Sequence, residues 1–366
     1  MDGKKPFNLM NYFSPIRILI AIVLSLLVVF VIIFFISDNP VFAISKMMLG
    51  PFQTTRSFFN VIERALPIIF TALALNISLR SGVFNIASDS SFYMGAVLAA
   101  FIALKLQLFV GAYQVVYILV AMLVGGLINT LPVILNRYTG IDTTVVALMQ
   151  NSIFYYFGLS LISAYLLDNS GSWGSAAFPA ESTLGKMLQG TSLHWGVVIL
   201  IAVIIFTVLL MEKSSFGYKV RLTGINPNFA RSAGIRTGGV VLGAQFIGGA
   251  IAGTGGAIEM MGMYKRFQWQ LPVIYVWDGL LVHMLANQNP YFIPLTAFFI
   301  AYLRVGAEMM SRAAGIAPEV VAFLQAIVIL LVASDKFLHG FKKRRELTIA
   351  LAQAGRADSE RGTAND

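Results

Sequence analysis

Long apolar runs separated by short polar breaks account for most of the 366 residues. Most of these runs approach the roughly 20 residues that a helix needs to cross the hydrocarbon core of a bilayer. They predict an all-α, polytopic membrane protein with about ten transmembrane helices. The ten predicted spans lie near residues 18–36, 58–79, 92–106, 112–135, 143–166, 195–211, 238–262, 273–285, 290–309 and 318–334. The eighth span is only about 13 residues long, which is typical of a broken or re-entrant segment.

Two polar breaks occupy matching places in the two halves of this pattern. Spans two to five and spans seven to ten each contain a polar, glycine-bearing break, at residues 81–91 and 277–289. The similarity of the halves predicts a pseudo-symmetric internal repeat. Interruptions at corresponding places in two halves of a membrane protein point to a solute route near the bilayer midplane.

Polar and aromatic side chains in or beside the spans are candidates for lining such a route, because lipid leaves polar groups unsatisfied. A structural role is the alternative. Asn85 and the nearby serines can cap the third span, Gln150 and Asn151 can hydrogen-bond another helix, and the aromatic rings can simply pack. The candidates are Phe84, Asn85, Asp89, Ser91, Gln150, Asn151, Tyr155, Glu259, Trp277 and Asp278.

The two clearest intramembrane acids have structural alternatives of their own. Asp278 can pair with Arg80 or Arg304 instead of facing a solute, and it can also occupy the start of the eighth span. Glu259 can form an interfacial pair with Lys265. The sequence leaves both roles open for each acid.

The most basic stretch between two spans, residues 212–236, also predicts a short helix. Asn226 suits the N-cap, because its side-chain oxygen can accept a hydrogen bond from a free amide of the first turn. Pro227 suits the first helical position, and Gly234 can adopt the left-handed conformation that ends a helix. Such a capped, basic helix fits a docking element for a cytoplasmic partner. The alternative is an ordinary loop whose Lys and Arg only set topology.

Composition supports the membrane assignment: 57% of residues are hydrophobic, 12% are charged and the mean hydropathy is +0.77. Soluble domains carry about 25% charged residues. The net charge of +9 does not predict a nucleic-acid partner, since Lys and Arg cluster beside the spans and in the tail. We predict a cytoplasmic N-terminus at residues 1–17, a transmembrane domain at 18–334 and a basic, polar cytoplasmic tail at 335–366.

The sequence offers little for catalysis. It contains no Cys and three His, so it predicts neither a disulfide framework nor a metal cluster. The run GTGGAIEMMG lies inside an apolar segment without a preceding strand, which argues against a dinucleotide loop. No GxxxxGK[ST] pattern occurs, so we do not expect the chain to hydrolyse ATP itself. We expect no catalytic residue, cofactor or metal site.

Four segments together resemble the permease subunits of bacterial ABC importers of the branched-chain amino acid, ribose and nucleoside type. They are SGVFNI, GYKVRLTGINPNFARSAGI, GGAIAGTGGAIE and WDGLLVHMLANQNP, and the resemblance runs from about Ala65 to Ser334. Within the family, the chain is most similar to the longer of two paired nucleoside-type permeases. The resemblance implies the type II importer fold and docking of residues 212–236 on an ATPase. The docking residues it implies are Gly217, Arg221, Gly224, Asn226, Pro227, Ala230, Arg231 and Gly234.

The same resemblance implies a function without enzymatic activity. The chain would form the path of a nucleoside or similar small hydrophilic solute by alternating access, with a ribose- or galactose-type sugar as the alternative. It would lie in the lipid of a bacterial inner membrane with both termini cytoplasmic. Its partners would be a homologous permease, ABC ATPase subunits that bind the ATP, and an extracytoplasmic substrate-binding lipoprotein.

Two departures from the family pattern lie near the implied route. After FNI at residues 84–86 the family usually continues with GAEGQ, whereas residues 87–91 here are ASDSS. The usual Asn-Glu at the start of the fifth span is Asp-Thr at residues 142–143. Both departures bear on the substrate more than on the fold. An ion-coupled secondary transporter is the alternative class, and it would use titratable groups such as Asp89, Glu259 and Asp278.

Overall fold

The computed structural model describes residues 30–35, 39–109, 111–168, 173–188, 190–317, 319–320, 323 and 326–327. Regular structure in these residues is helical, apart from two isolated β-bridges that pair Leu167 with Ser175 and Lys186 with His194. The all-α prediction is therefore confirmed. The predicted N-terminal segment 1–17 and the tail 335–366 lie outside the described residues, as do most of the first and last predicted spans.

The longer helices follow the predicted apolar runs, whereas most of the predicted break at residues 277–289 lies inside the short helix Tyr275–Leu285. A π-turn at Leu209–Lys213 directly continues the helix Gly196–Val208. The helices are α1 (Pro40–Gln53), α2 (Thr55–Arg80), α3 (Ser88–Lys105), α4 (Ala112–Thr139), α5 (Thr143–Tyr165), α6 (Gly196–Val208), α7 (Ser215–Ile225), α8 (Pro227–Ser232), α9 (Thr237–Met263), α10 (Tyr275–Leu285) and α11 (Ile293–Ala314).

Within the described part, six helices are long and apolar enough to cross a membrane. They are α2, α4, α5, α6 with its π-turn, α9 and α11. The chain is thus a multi-pass membrane protein, while the number of ten spans and the internal repeat stay predictions. The short eighth span corresponds to α10, which has only 11 residues.

Backbone contacts between helices shape the core of the unit formed by residues 51–305. A Cβ on Gly253 of α9 would lie against the carbonyl oxygen of Ala121 and 3.2 Å from the Cα of Gly125, both in α4. A Cβ on Gly95 of α3 would lie 2.9 Å from the Cα of Gly253. Three helices therefore meet at one point, where only glycine leaves room for the neighbouring backbone.

The other unit consists of residues 1–50 and 306–366. In its described part, the second half of α1 packs against the second half of α11. A Cβ on Gly50 would lie 3.1 Å from the sulfur of Met309, and a Cβ on Gly306 would lie against the backbone of Met47. Small residues thus let these two helical segments approach closely.

Candidate functional site

A cavity of about 140 Å³ lies at the start of α3, beside α5 and the segment that precedes α10. Three of the ten predicted path residues line it, namely Asp89, Asn151 and Tyr155. The other lining residues are Ser90, Tyr93, Ser152, Tyr156, Pro272 and Val273. The cavity therefore combines a carboxyl group, an amide, hydroxyl groups and aromatic rings in the membrane-spanning part of the chain.

Two polar atoms in this lining lack a hydrogen-bond partner among the described residues. They are Oδ1 of Asp89 and the hydroxyl oxygen of Tyr93, and both are buried. The ring of Tyr93 lies 5.1 Å from the ring of Tyr155, measured between centroids. Because buried polar atoms in proteins are nearly always paired, two orphans in one lining call for an explanation.

Asn151 and Tyr155 fix the walls of the cavity. Asn151 Oδ1 accepts a hydrogen bond from the backbone N–H of Ser90 at 3.2 Å, and its Nδ2 donates to the carbonyl of Ile86 at 3.1 Å. The Tyr155 hydroxyl donates to the carbonyl of Gln270 at 2.5 Å. One helix, α5, thereby holds both the start of α3 and the segment before α10.

Asn85, Ser91 and Gln150 take part in contacts between helices instead of lining the cavity. Asn85 Nδ2 donates to the carbonyl of Asn129 at 2.8 Å, and its Oδ1 accepts from the backbone of Ala87 at 3.0 Å. Ser91 donates to a carbonyl of α4 at 2.9 Å, and Gln150 donates to another at 2.9 Å. The interhelical contact of Gln150 is the structural alternative that the sequence left open for it. The capping alternative for Asn85 and the serines is wrong, because the N-cap of α3 is Ala87, which makes no side-chain capping hydrogen bond.

Asn129 and Gln245, which sequence reasoning missed, are the centre of this polar network. Asn129 Nδ2 donates to the backbone carbonyl of Gln245 at 2.7 Å, and Gln245 Nε2 donates to the carbonyl of Ser78 at 3.2 Å. Asn85 Nδ2 also reaches Gln245 Oε1 at 2.9 Å. The available signal was a single amide within an otherwise apolar run, since lipid forces such groups to find partners.

The two intramembrane acids of the second half lie apart from the cavity lining. Asp278 pairs with Arg304, with Nη2 and Oδ1 2.5 Å apart, which is one of the pairings considered from sequence. Glu259 accepts from the Tyr275 hydroxyl at 3.3 Å, and the alternative pairing with Lys265 is not found among the described contacts. Phe84 and Trp277 are each about half exposed.

The departure at residues 142–143 forms the N-cap of α5. Asp142 Oδ1 accepts from the backbone N–H of Thr144 at 2.8 Å and from that of Val145 at 3.4 Å. The hydrogen bond from the Thr144 backbone lowers the pKa of the Asp142 carboxyl below its usual value. Asp142 therefore caps and stabilises α5, the helix that forms one wall of the cavity.

The predicted short helix is present as α8. Asn226 Oδ1 accepts from the backbone N–H of Phe229 at 3.0 Å, Pro227 occupies the first turn, and Gly234 has φ 79°. The helix ends at Ser232, within two residues of the predicted end. Ala230 is fully buried, whereas Phe229 is 57% exposed. One side of α8 therefore anchors the helix and the other side is free to meet a partner.

Ionic and backbone contacts tie α7 to the end of α2. Glu212 pairs with Arg80 at 2.7 Å and with Arg221 at 3.4 Å, and Arg221 also donates to the carbonyl of Met211. A Cβ on Gly224 would lie against the carbonyl oxygen of Arg80. The segment that carries α8 is thus attached directly to a membrane-spanning helix.

Multiple membrane-spanning helices, a polar cavity among them and a capped helix with an exposed face are consistent with a transport permease. The chain belongs to the family described as "Branched-chain amino acid transport system / permease component", whose profile matches residues 57–333. Members of this family are membrane subunits of ABC transporters, so the chain is a transporter subunit and not an enzyme.

Curated relatives support the same class over most of the chain. The glucose ABC transporter permease protein TsgB13 of Haloferax volcanii is 26% identical and aligns over 87% of this chain and 85% of its own length. The nucleoside ABC transporter permease protein NupB of Lactococcus lactis subsp. cremoris is 24% identical, over 86% and 89%. The guanosine ABC transporter permease protein NupP of Bacillus subtilis is 26% identical, over 78% and 84%.

Proposed function

We propose that the chain is the permease subunit of an ABC importer that forms the path of a nucleoside by alternating access. The nucleoside and guanosine permeases among its relatives support this substrate class, as does the small polar and aromatic cavity beside α3. A simple sugar is the second candidate, because a glucose permease is equally similar in sequence. In this proposal the chain binds no cofactor, and its partner subunits bind the ATP.

The contacts between α2 and the segment 212–236, which contains α8, carry this proposal. ATP-driven closure of two ATPase subunits pushes on α8, and the Glu212–Arg80 pair passes the force to α2. Within α2, Thr71 donates to the carbonyl of Tyr275 at 2.8 Å, at the start of α10. Pro272 and Val273, just before α10, form part of the cavity wall. A single helix thus connects the docking segment to the cavity, as a rocking motion between two states requires.

The remaining partners follow from the geometry that an importer needs. A homologous permease faces this chain across the path, and a lipoprotein delivers the solute from the outer side. The mouth of the cavity lies beside the exposed side of α5, where Ile153, Tyr156 and Phe157 are all exposed. We place the protein in the lipid of a bacterial inner membrane, with both termini and residues 212–236 on the cytoplasmic face.

Replacing Phe229 by Ala tests the docking role. The exposed ring contributes little to the fold, so the variant is expected to reach the membrane in normal amounts. Loss of a docking contact is expected to lower ATP-driven uptake roughly fivefold or more. Uptake of labelled inosine and glucose is measured in cells that carry the complete importer, with membrane abundance determined by immunoblot.

Tyr138→Ala is the matched control, because Tyr138 is an exposed aromatic residue at the end of α4, outside residues 212–236. It is expected to leave uptake unchanged. Equal uptake in the Phe229→Ala variant and the wild type would argue against docking through α8. Uptake by the purified chain alone in liposomes, driven by a proton or sodium gradient, would instead identify a secondary transporter.

A further inference from the structure

The cavity contains one acceptor and one hydroxyl group that the protein leaves unused. Asp89 Oδ1 and the Tyr93 hydroxyl are both buried, and neither has a hydrogen-bond partner among the described residues. The two residues are four positions apart on α3, so they lie on one face of the helix, with Cβ atoms about 5–6 Å apart. Both line the same cavity.

The other side chains in the lining already have structural roles or lie at its edge. Asn151 is engaged by the backbone at the start of α3, and the Tyr155 hydroxyl by the carbonyl of Gln270. Tyr156 is 67% exposed and Ser152 is also exposed, which places both at the mouth. The hydrogen-bonding capacity that is left for a ligand therefore belongs chiefly to Asp89 and Tyr93.

The size of the cavity limits what can enter it. Its volume is about 140 Å³, whereas a cavity of about 150 Å³ accommodates one benzene molecule. The cavity thus has room for one six-membered ring, with the rest of a larger solute outside. The rings of Tyr155 and Tyr156 are 5.2 Å apart and nearly perpendicular, so they offer aromatic surface to a flat group.

We infer that Asp89 and Tyr93 form a specificity-determining pair that binds the edge of a flat heterocycle with a hydrogen-bond donor beside an acceptor. This inference rests on the proposed nucleoside function and deepens it. The carboxylate of Asp89 accepts from a ring N–H, and the Tyr93 hydroxyl donates to the neighbouring carbonyl oxygen. The six-membered ring of the nucleobase enters the cavity, and the rest of the nucleoside stays in the open part of the path.

The physical reason for selectivity is the cost of leaving these atoms unpaired. A heterocycle without the N–H and the carbonyl leaves Asp89 Oδ1 and the Tyr93 hydroxyl unpaired in the buried site. Inosine carries both groups on its six-membered ring, whereas purine riboside lacks both and has the same ribose. A comparison of inosine with purine riboside therefore tests recognition of the N–H and carbonyl edge by Asp89 and Tyr93.

The test is competition against uptake of labelled inosine by cells that carry the complete importer. In the wild type, purine riboside is expected to inhibit roughly tenfold more weakly than unlabelled inosine. In Asp89→Ala and in Tyr93→Phe, which removes only one hydroxyl group, this ratio is expected to fall towards one. Ser152→Ala alters another lining residue of the same cavity and is expected to retain the ratio.

The outcomes separate the inference from the proposed function. If the wild type takes up inosine and both Asp89→Ala and Tyr93→Phe keep its ratio, the inference is wrong and the nucleoside function stands. Discrimination by the binding protein alone would give this result, because that protein is unchanged in every strain. If the wild type takes up glucose and no nucleoside, the proposed nucleoside function is wrong and the inference falls with it.

Discussion

At the scale of single residues, His194 shows how one buried side chain shapes the segment before α6. Its Nδ1 accepts from the backbone N–H of Gly196 at 3.1 Å, and Nε2 is buried without a partner among the described residues. A Cβ on Gly262 would lie 2.5 Å from both ring nitrogens. The imidazole therefore packs against glycine backbone, and its hydrogen bond requires an unprotonated Nδ1.

This environment predicts a pH dependence of stability. Burial lowers the pKa of His194 from 6.5 to about 4. Between these values the unfolded chain binds a proton and the folded chain does not, so stability rises with pH and is lost as pH falls. We expect the melting temperature of the purified protein to drop between pH 7 and pH 5, and His194→Gln to reduce this drop.

The wild type and His194→Gln share every other titrating group. The difference between their pH dependences of stability therefore reports on His194. Melting temperatures in detergent at pH 5, 6 and 7 provide the measurement. The same slope in the wild type and in His194→Gln would contradict the assignment of a neutral, buried ring.

At the scale of helices, the crossing of α3, α4 and α9 depends on glycine at the contact. Apolar side chains cannot drive helices together in lipid, so close backbone packing takes that role. The sequence showed two GxxxG pairs in α9, at residues 239/243 and 249/253. The two pairs have different surroundings in the structure. Gly249 and Gly253 face α4, whereas Gly239 has no other atom within 4 Å of a would-be Cβ.

This difference provides a matched pair of substitutions. Gly253→Ala places a methyl group against the carbonyl oxygen of Ala121 and is expected to cost about 1–3 kcal/mol by overpacking. Gly239→Ala adds the same methyl group to the same helix in open space. It is expected to be neutral or slightly stabilising, because alanine favours a helix over glycine.

Thermal unfolding of the two purified variants in detergent distinguishes these outcomes. A lower melting temperature for Gly253→Ala alone supports the close crossing. Equal melting temperatures would show that α4 and α9 are not packed backbone to backbone at this point.

At the scale of the whole molecule, the features that could be predicted are those that depend on residues close together in the sequence. The apolar runs gave the helical class, and Asn226, Pro227 and Gly234 gave the cap, first turn and end of α8. Each of these features is decided by hydrogen bonds and backbone conformations within a few residues. The ion pair between Asp278 and Arg304 is one of the two pairings that the sequence analysis gave for this acid.

The arrangement of the candidate site could not be predicted, because it depends on contacts between distant segments. Asn129 and Gln245 are 116 positions apart, yet their amide groups join two helices. Tyr93 lies four positions from Asp89 on α3, but only the fold brings α5, Pro272 and Val273 against this face of the helix to form the cavity. Sequence patterns report periodicity and composition, and neither specifies which faces of two helices meet.

In the proposed mechanism, an ATP-driven partner on the cytoplasmic face acts on this chain through α8. The 366 residues contain no Cys, so Asn228→Cys introduces a single thiol on the exposed part of that helix. A membrane-impermeant maleimide is applied to intact cells and to inside-out vesicles. We predict labelling only in the vesicles, and protection there when the ATPase subunits are present; labelling in intact cells would contradict the account.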